Sequence, residues 1–221
     1  VYKRQDTYTN LSHDIRTPLT SLDGYFQLIE ECDNIDDQRR YLDIIRERLN
    51  SLNEMLEELF TFTKLKNDSY KLELTDCCMN RILKEAVFSY YDEWKKQGIC
   101  PDISITEEML YISGNKQGLR RVIQNVIKNG LDHGKKNISI KLTREDNYAL
   151  LKISNYAEHP ENIDLSHVFE RFYKADVARG RASTGLGLSI AKELVERMNG
   201  DISARIKGND FIIEIKVLLV V

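Results

Sequence analysis

Leu11-Ser12-His13-Asp14-Ile15-Arg16-Thr17-Pro18-Leu19 lies inside a run from about residue 4 to 31 where Leu11, Ile15, Leu19, Leu22, Phe26 and Ile29 recur at steps of three or four. That is the period of an amphipathic helix. His13 falls off this apolar seam, so its imidazole is expected to face solvent beside Thr17, one turn further on. A neutral imidazole with Asp14 next to it has the makings of a nucleophile, because the carboxylate can take the ring proton and orient the attacking nitrogen. Pro18 removes a backbone donor and is expected to bend the helix just past the histidine. Read alone, the segment is more simply an exposed histidine on a solvated helix.

Beyond the polar break Cys32-Asp33-Asn34-Ile35-Asp36, Leu42, Ile45, Leu49, Leu52, Leu56 and Leu59 form a heptad seam. A short loop between two such helices predicts an antiparallel hairpin. Two helices cannot cover both apolar stripes, so the economical arrangement is a homodimer packed as a four-helix bundle. Past residue 67 the texture changes to mixed elements. Strand patterns are read at residues 71–75, 103–105, 110–112, 137–142, 148–154 and 201–220, and helices at 80–97, 116–133 and 186–198. This order predicts an α/β sandwich with a mixed sheet and helices on one face. The division expected is a helical hairpin over residues 1–67 and an α/β domain over 68–221.

The bulk composition agrees with two such parts. The chain has 221 residues, 42% of them hydrophobic and 30% charged, and a formal net charge of −3. That balance gives no reason to expect nucleic acid as the main partner. Cys32, Cys77, Cys78 and Cys100 form no CxxC pair and are too sparse for a disulfide scaffold, so reduced thiols in a cytoplasmic setting are expected. No run of about 18 apolar residues is present. Opening inside a helical pattern, the chain reads as a piece of something longer.

Two further segments carry chemistry. In Asn125-Val126-Ile127-Lys128-Asn129-Gly130-Leu131-Asp132-His133-Gly134, the two asparagines are one turn apart. Their amides can share a pocket where carbonyl oxygens suit Mg²⁺ and amide groups suit phosphate, although such a pair is also common on polar helix faces. In Ser183-Thr184-Gly185-Leu186-Gly187-Leu188-Ser189-Ile190-Ala191, two glycines open an apolar-periodic helix. Close backbone approach and the positive helix end then favour an anion, while a tight turn is the plainer alternative. Ahead of it stands Phe169-Glu170-Arg171-Phe172-Tyr173. Its phenylalanines could plug the base of a loop and leave Arg171 and Lys174 near phosphates; the plainer alternative is a helix end with surface charges.

Taken in order, these segments resemble the sensor histidine kinases of two-component systems across essentially the whole chain. Residues 13–19 are similar to the family's phosphoacceptor box, 125–129 to its N box, 169–173 to its F box and 184–188 to its second glycine box. The resemblance implies an α+β protein: an antiparallel helical hairpin, a four-helix bundle as a dimer, followed by a Bergerat-type α/β sandwich that binds ATP, with a lid near residues 173–184. It implies His13 as phosphoacceptor, Asp14 as its base, and Thr17 as the residue that orients water during dephosphorylation of a regulator. Asn129 would hold Mg²⁺, with Asn125 and His133 near the phosphates. Arg171 would assist the transferring phosphate, Phe169, Lys174, Thr184 and Leu186 would line the nucleotide site, and Gly185 and Gly187 would cradle the nucleotide.

Two departures accompany the match. Ile153-Ser154-Asn155-Tyr156-Ala157 is nearest the first glycine box, with Asn155 in the family's Asp position and Ala157 in place of a glycine. Asn155 can still accept from the adenine amino group, but without charge. Asp132 stands where the family usually has Lys, and Lys128 or Lys135 is the candidate substitute. The implied partner is a response regulator receiver domain, read by exposed residues such as Thr20, Gly24 and Gln27. The implied setting is the cytoplasmic side of a membrane, reached through a preceding sensor segment. The departures motivate one alternative, a degenerate kinase acting as a dimeric scaffold.

Overall fold

The computed structural model describes residues 2–67, 69–133, 137–174 and 184–220, with side chains from Ile15 onward. It divides into two compact units, Val1–Thr63 and Lys64–Val221. The first unit contains α1 (Tyr2–Glu30) and most of α2 (Ile35–Leu65). Asn34 starts α2: its Oδ1 accepts from the Asp36 amide at 2.9 Å, and its own carbonyl accepts from the Gln38 amide at 3.0 Å. This is the geometry of an asparagine N-cap. Asp36 and Asp37 in the first turn and Lys64 in the last complement the helix dipole. The rings of Tyr25 and Tyr41 lie 5.9 Å apart, which sets the two helices side by side at that level.

The expected seam divides into two rows. Ile45 and Met55 of α2 and Leu22 of α1 are buried, whereas Leu42, Leu49 and Leu56, seven residues apart, are 44–48% exposed. Leu19, Phe26 and Leu28 of α1 and Phe60 of α2 are exposed as well.

The second unit runs β1 (Thr75–Cys78), α3 (Met79–Ser89), α4 (Tyr91–Gln97), β2 (Asp102–Ile105), β3 (Tyr111–Gly114), α5 (Lys116–His133), β4 (Ile138–Glu145), β5 (Tyr148–Tyr156), α6 (Gly187–Arg197), β6 (Asp201–Lys207) and β7 (Asp210–Leu218). Five strands form one mixed sheet in the order β2-β4-β5-β7-β6, parallel only between β2 and β4, and β1 pairs with β3 in a separate ribbon. Ala149, Leu151, Ile153 and Asn155 alternate along β5 on a buried face. Leu119, Val122, Ile123, Val126 and Ile127 of α5 and Ile190, Leu194 and Val195 of α6 are the buried helical counterparts. On the other face Lys152 and Glu214 pair directly across β5 and β7 at 3.0 Å, and Glu214 also meets Arg205 at 3.1 Å.

Three expected elements are corrected. Residues 71–74 have no ladder, and the strand begins at Thr75. Thr75 pairs with Gly114, the last residue of β3, so nothing remains for residues further upstream to pair with. The helix read over 80–97 breaks at Tyr90 (φ −99°, ψ 0°), which turns Trp94 into the core at 3% exposure with its ring 5.9 Å from that of Tyr90. The strand read over 201–220 is a hairpin, turned at Gly208 with φ 61°. Buried Asn80 ties the region together. Its amide donates to the carbonyls of Thr106 and Glu108 and accepts from the Leu110 N–H, so its hydrogen-bonding capacity is met.

Candidate functional site

Three segments of the second unit converge at one end of α5 and α6. The apolar face of α5 is buried, which leaves Asn125, Asn129 and His133, spaced four apart, on a half-buried flank. The Asn125 amide donates to the Gly187 carbonyl at 2.9 Å, and a Cβ placed on Gly187 would lie 3.7 Å from Asn125 Cγ. Asn125 therefore fastens α5 to the first residue of α6. The sequence reading aimed its amide at a ligand; the structure commits part of it to the glycine turn.

That turn is tightly built. Gly185 has φ 68°, and a Cβ there would meet the Phe172 backbone at 2.8 Å and the Tyr173 carbonyl at 2.9 Å. No side chain fits such a gap without displacing backbone. The Phe172 N–H donates to the Gly185 carbonyl at 2.9 Å, and Phe172 itself has φ 59°. For a bulky residue this is a strained conformation of the kind held at functional sites. Thr184 Oγ1 accepts from the Leu186 amide at 3.1 Å. The Leu186 side chain is fully buried, so only its backbone can reach a ligand. The first amides of α6 have no acceptor within the helix and, with the positive helix end, favour an anion.

The third wall is the end of β5. Asn155 terminates the buried row of that strand and is only 6% exposed. Gly130 of α5 faces it: a Cβ on Gly130 would lie 3.6 Å from Asn155 Cβ. The Asn155 amide donates to the Tyr156 carbonyl at 3.3 Å. Ala157 is buried and closes the strand through a 2.7 Å bond from its N–H to the Asn209 carbonyl.

Around this core, Phe169 is half-buried with Lys192 Nζ 5.7 Å from its ring centroid. Arg171 is exposed and Lys174 half-buried. The Tyr173 hydroxyl accepts from the Asp164 N–H at 2.8 Å, closing residues 164–173 into a loop. Hydrogen bonds from Ser166 and His167 hold the Asp164 carboxyl below its ordinary range.

His13 and Asp14 belong to α1 in the other unit, and their side chains lie outside the described residues. Thr17, one turn on, is exposed. Of the expected lid, residues 175–183 lie outside the described residues, as does Lys135. Among the described residues no group of three His, Cys, Asp or Glu side chains could hold a metal. Sequence reasoning missed the strain at Phe172, which no residue type announces, and the burial of Asn155. The latter had a signal in the lone amide closing the apolar row Ala149, Leu151 and Ile153.

Residues 3–68 match the His Kinase A (phospho-acceptor) domain, and residues 114–219 match the family of histidine kinase-, DNA gyrase B- and HSP90-like ATPases. The chain belongs to the sensor histidine kinases. This kinase core is 32% identical over 205 residues to the sensor histidine kinase YcbM of Bacillus subtilis (strain 168), covering 90% of the core and 66% of that protein. To the sensor protein VanS of Enterococcus faecium it is 29% identical over 213 residues, covering 94% and 55% respectively. The core thus spans less than two thirds of the length of these relatives. Its fold is shared with the Acinetobacter baumannii histidine kinase AdeS at a TM-score of 0.75 and 20% identity, over 94% of the core and 98% of that chain. It is also shared with histidine kinase ThkA, solved in complex with response regulator protein TrrA, at a TM-score of 0.77 and 18% identity, over 97% and 61%. The second unit of the kinase core carries an ATP-binding domain. No helix among the described residues is long and apolar enough to cross a membrane.

Proposed function

We propose that this chain uses ATP to phosphorylate His13 and passes the phosphoryl group to an aspartate of a response regulator receiver domain. In the first step an imidazole nitrogen of His13 attacks the γ-phosphorus, the bond to the bridging oxygen breaks, and ADP leaves while Asp14 takes the ring proton. In the second the P–N bond is exchanged for a P–O bond on the regulator. Such transfers need positioning and charge neutralisation more than covalent help. The observation that carries this reading is the joining of α5, the Phe172 loop and α6 at one glycine turn, through Asn125 to Gly187 and Phe172 to Gly185.

In this reading Gly185, Leu186 and Gly187 offer backbone to the phosphates, and Asn155 accepts from the adenine amino group. Thr184, Phe169, His133, Lys174 and Asn125 line the nucleotide, and Arg171 neutralises charge on the moving phosphoryl group. The Asn129 amide oxygen is the group that would hold Mg²⁺, an ion commonly bound through few protein ligands, and the ion would supply charge neutralisation at the phosphates. Thr17 orients water when the regulator is dephosphorylated. Residues 1–67 act as the phosphoacceptor hairpin and 68–221 as the catalytic domain. The exposed row Leu42, Leu49 and Leu56 pairs with a second copy of the chain, and Thr20, Gly24 and Gln27 take part in regulator choice. A sensor segment outside these residues would hold the kinase at a membrane, with this part facing the cytoplasm.

The test is incubation with γ-labelled ATP and Mg²⁺. Acid-labile, base-stable label is expected on the parent chain and none on His13→Gln. Equal labelling of both proteins would exclude His13 as the acceptor.

A further inference from the structure

At the far end of α6 from the glycine turn, residues 64–67 and Tyr70 are folded back onto the last helical turn, all within the second unit. Arg197 closes this fold. Its Nη1 donates to the Tyr70 carbonyl at 2.9 Å, its Nη2 to the Leu65 carbonyl, and its Nε to Glu193 at 3.0 Å. The second oxygen of Glu193 accepts from Lys66 Nζ at 2.5 Å. Leu65 is 2% exposed, Lys64 Nζ lies 4.6 Å from the Tyr70 ring centroid, and the Tyr70 N–H donates to the Asn67 carbonyl at 2.9 Å.

Burial alone would raise the Glu193 carboxyl, but the hydrogen bonds from Lys66 and Arg197 prevail and hold it low. The planar, forked guanidinium suits this task, because one group must serve three acceptors at fixed angles. The Leu65 carbonyl is among the last of α2, which have no partner within the helix. A positive charge at this point complements the dipoles of two helices, since Arg197 also ends α6.

The clamp removes slack from the chain. α2 stays helical to Leu65, and the residues after it are spent on the grip. Released, residues 66–74 would be a tether reaching about 30 Å. α6 itself is one 11-residue helix whose first carbonyl, that of Gly187, is held by Asn125 and whose last residue is Arg197. A single rigid element thus joins the glycine turn to the clamp.

We propose that Arg197 is a positioning residue for phosphotransfer: it fixes where the chain from the phosphoacceptor helices enters the ATP-binding domain, and so governs phosphoryl transfer without touching the nucleotide. The inference rests on the kinase reading above. It is tested on the full chain with Arg197→Ala, Arg197→Lys and Glu193→Gln. Three quantities are read: ADP affinity by calorimetry, the initial labelling rate at saturating ATP and Mg²⁺, and amide hydrogen exchange at Asn67, Ser69 and Tyr70.

In Arg197→Ala, exchange at those amides is expected to rise about tenfold or more. ADP affinity should stay within about twofold of the parent while the saturated rate falls about fivefold or more. Arg197→Lys should not restore the rate, since one ammonium cannot serve both carbonyls and Glu193. Glu193→Gln keeps the two carbonyl grips and should show a smaller loss; it carries the test if Arg197→Ala does not fold. A rate unchanged while exchange rises would overturn the positioning role, and so would an ADP affinity that falls in step with the rate. A parent chain that binds ADP but never labels would instead overturn the kinase reading, and the positioning role with it.

Discussion

Asn155 illustrates how one atom decides a site. Its amide donates to the Tyr156 carbonyl in a nearly dry position beside Gly130. Aspartate, the residue the family resemblance leads one to expect, would set an acceptor against that carbonyl and bury a charge. Asn155→Asp should therefore cost the nucleotide-free protein about 1–3 kcal/mol. A bound adenine amino group would favour the charged acceptor, so the deficit should shrink or reverse with a non-hydrolysable ATP analogue. Thermal melts of both proteins with and without the analogue check this, and equal melting without nucleotide would show that the Tyr156 contact contributes nothing. The sequence made the spacing of Asn125 and Asn129 and the glycine pair legible, because these depend on helix period and on residue type. It did not reveal that Asn125 holds the Gly187 carbonyl, nor that Arg197 grips carbonyls of residues 65 and 70, since a carbonyl leaves no mark in the residue string.

At the scale of elements, α1, α2 and α5 follow their apolar periods closely, and β4, β5 and α6 end within a few residues of where alternation or glycine ends. Two of the misread elements share a cause. Extended chain at residues 71–74 keeps an alternating pattern, but a strand exists only where a partner lies alongside, and β3 supplies none beyond Gly114. The break at Tyr90 has neither glycine nor proline to announce it; Ser89 Oγ bonds to the Ala86 carbonyl at 2.6 Å as α3 ends, and burial of Trp94 rewards the turn. The exposed leucine row of α2 leads to a further expectation. Leu49→Glu, at the middle of the row, should convert a dimer to a monomer, as followed by sedimentation, with the second unit still binding ADP. A variant that remains dimeric would place the contact on another face.

For the whole molecule, two compact units with separate cores predict two unfolding transitions. In the proposed dimer, association stabilises the helical unit, so its transition should rise with protein concentration, and that of the second unit should rise with ADP. Calorimetry at two protein concentrations and two ADP concentrations separates these, and a single peak that moves with both would mean the units unfold together. Trp94 adds a practical corollary. It is the only tryptophan of the chain, lies in the second unit, and its indole N–H has no partner among the described residues. Intrinsic tryptophan emission will therefore follow loss of the α3–α4 core and stay silent while the hairpin melts, whereas far-ultraviolet dichroism will record both. Unfolding curves from the two optical signals should fail to superimpose even if neither unit populates an intermediate.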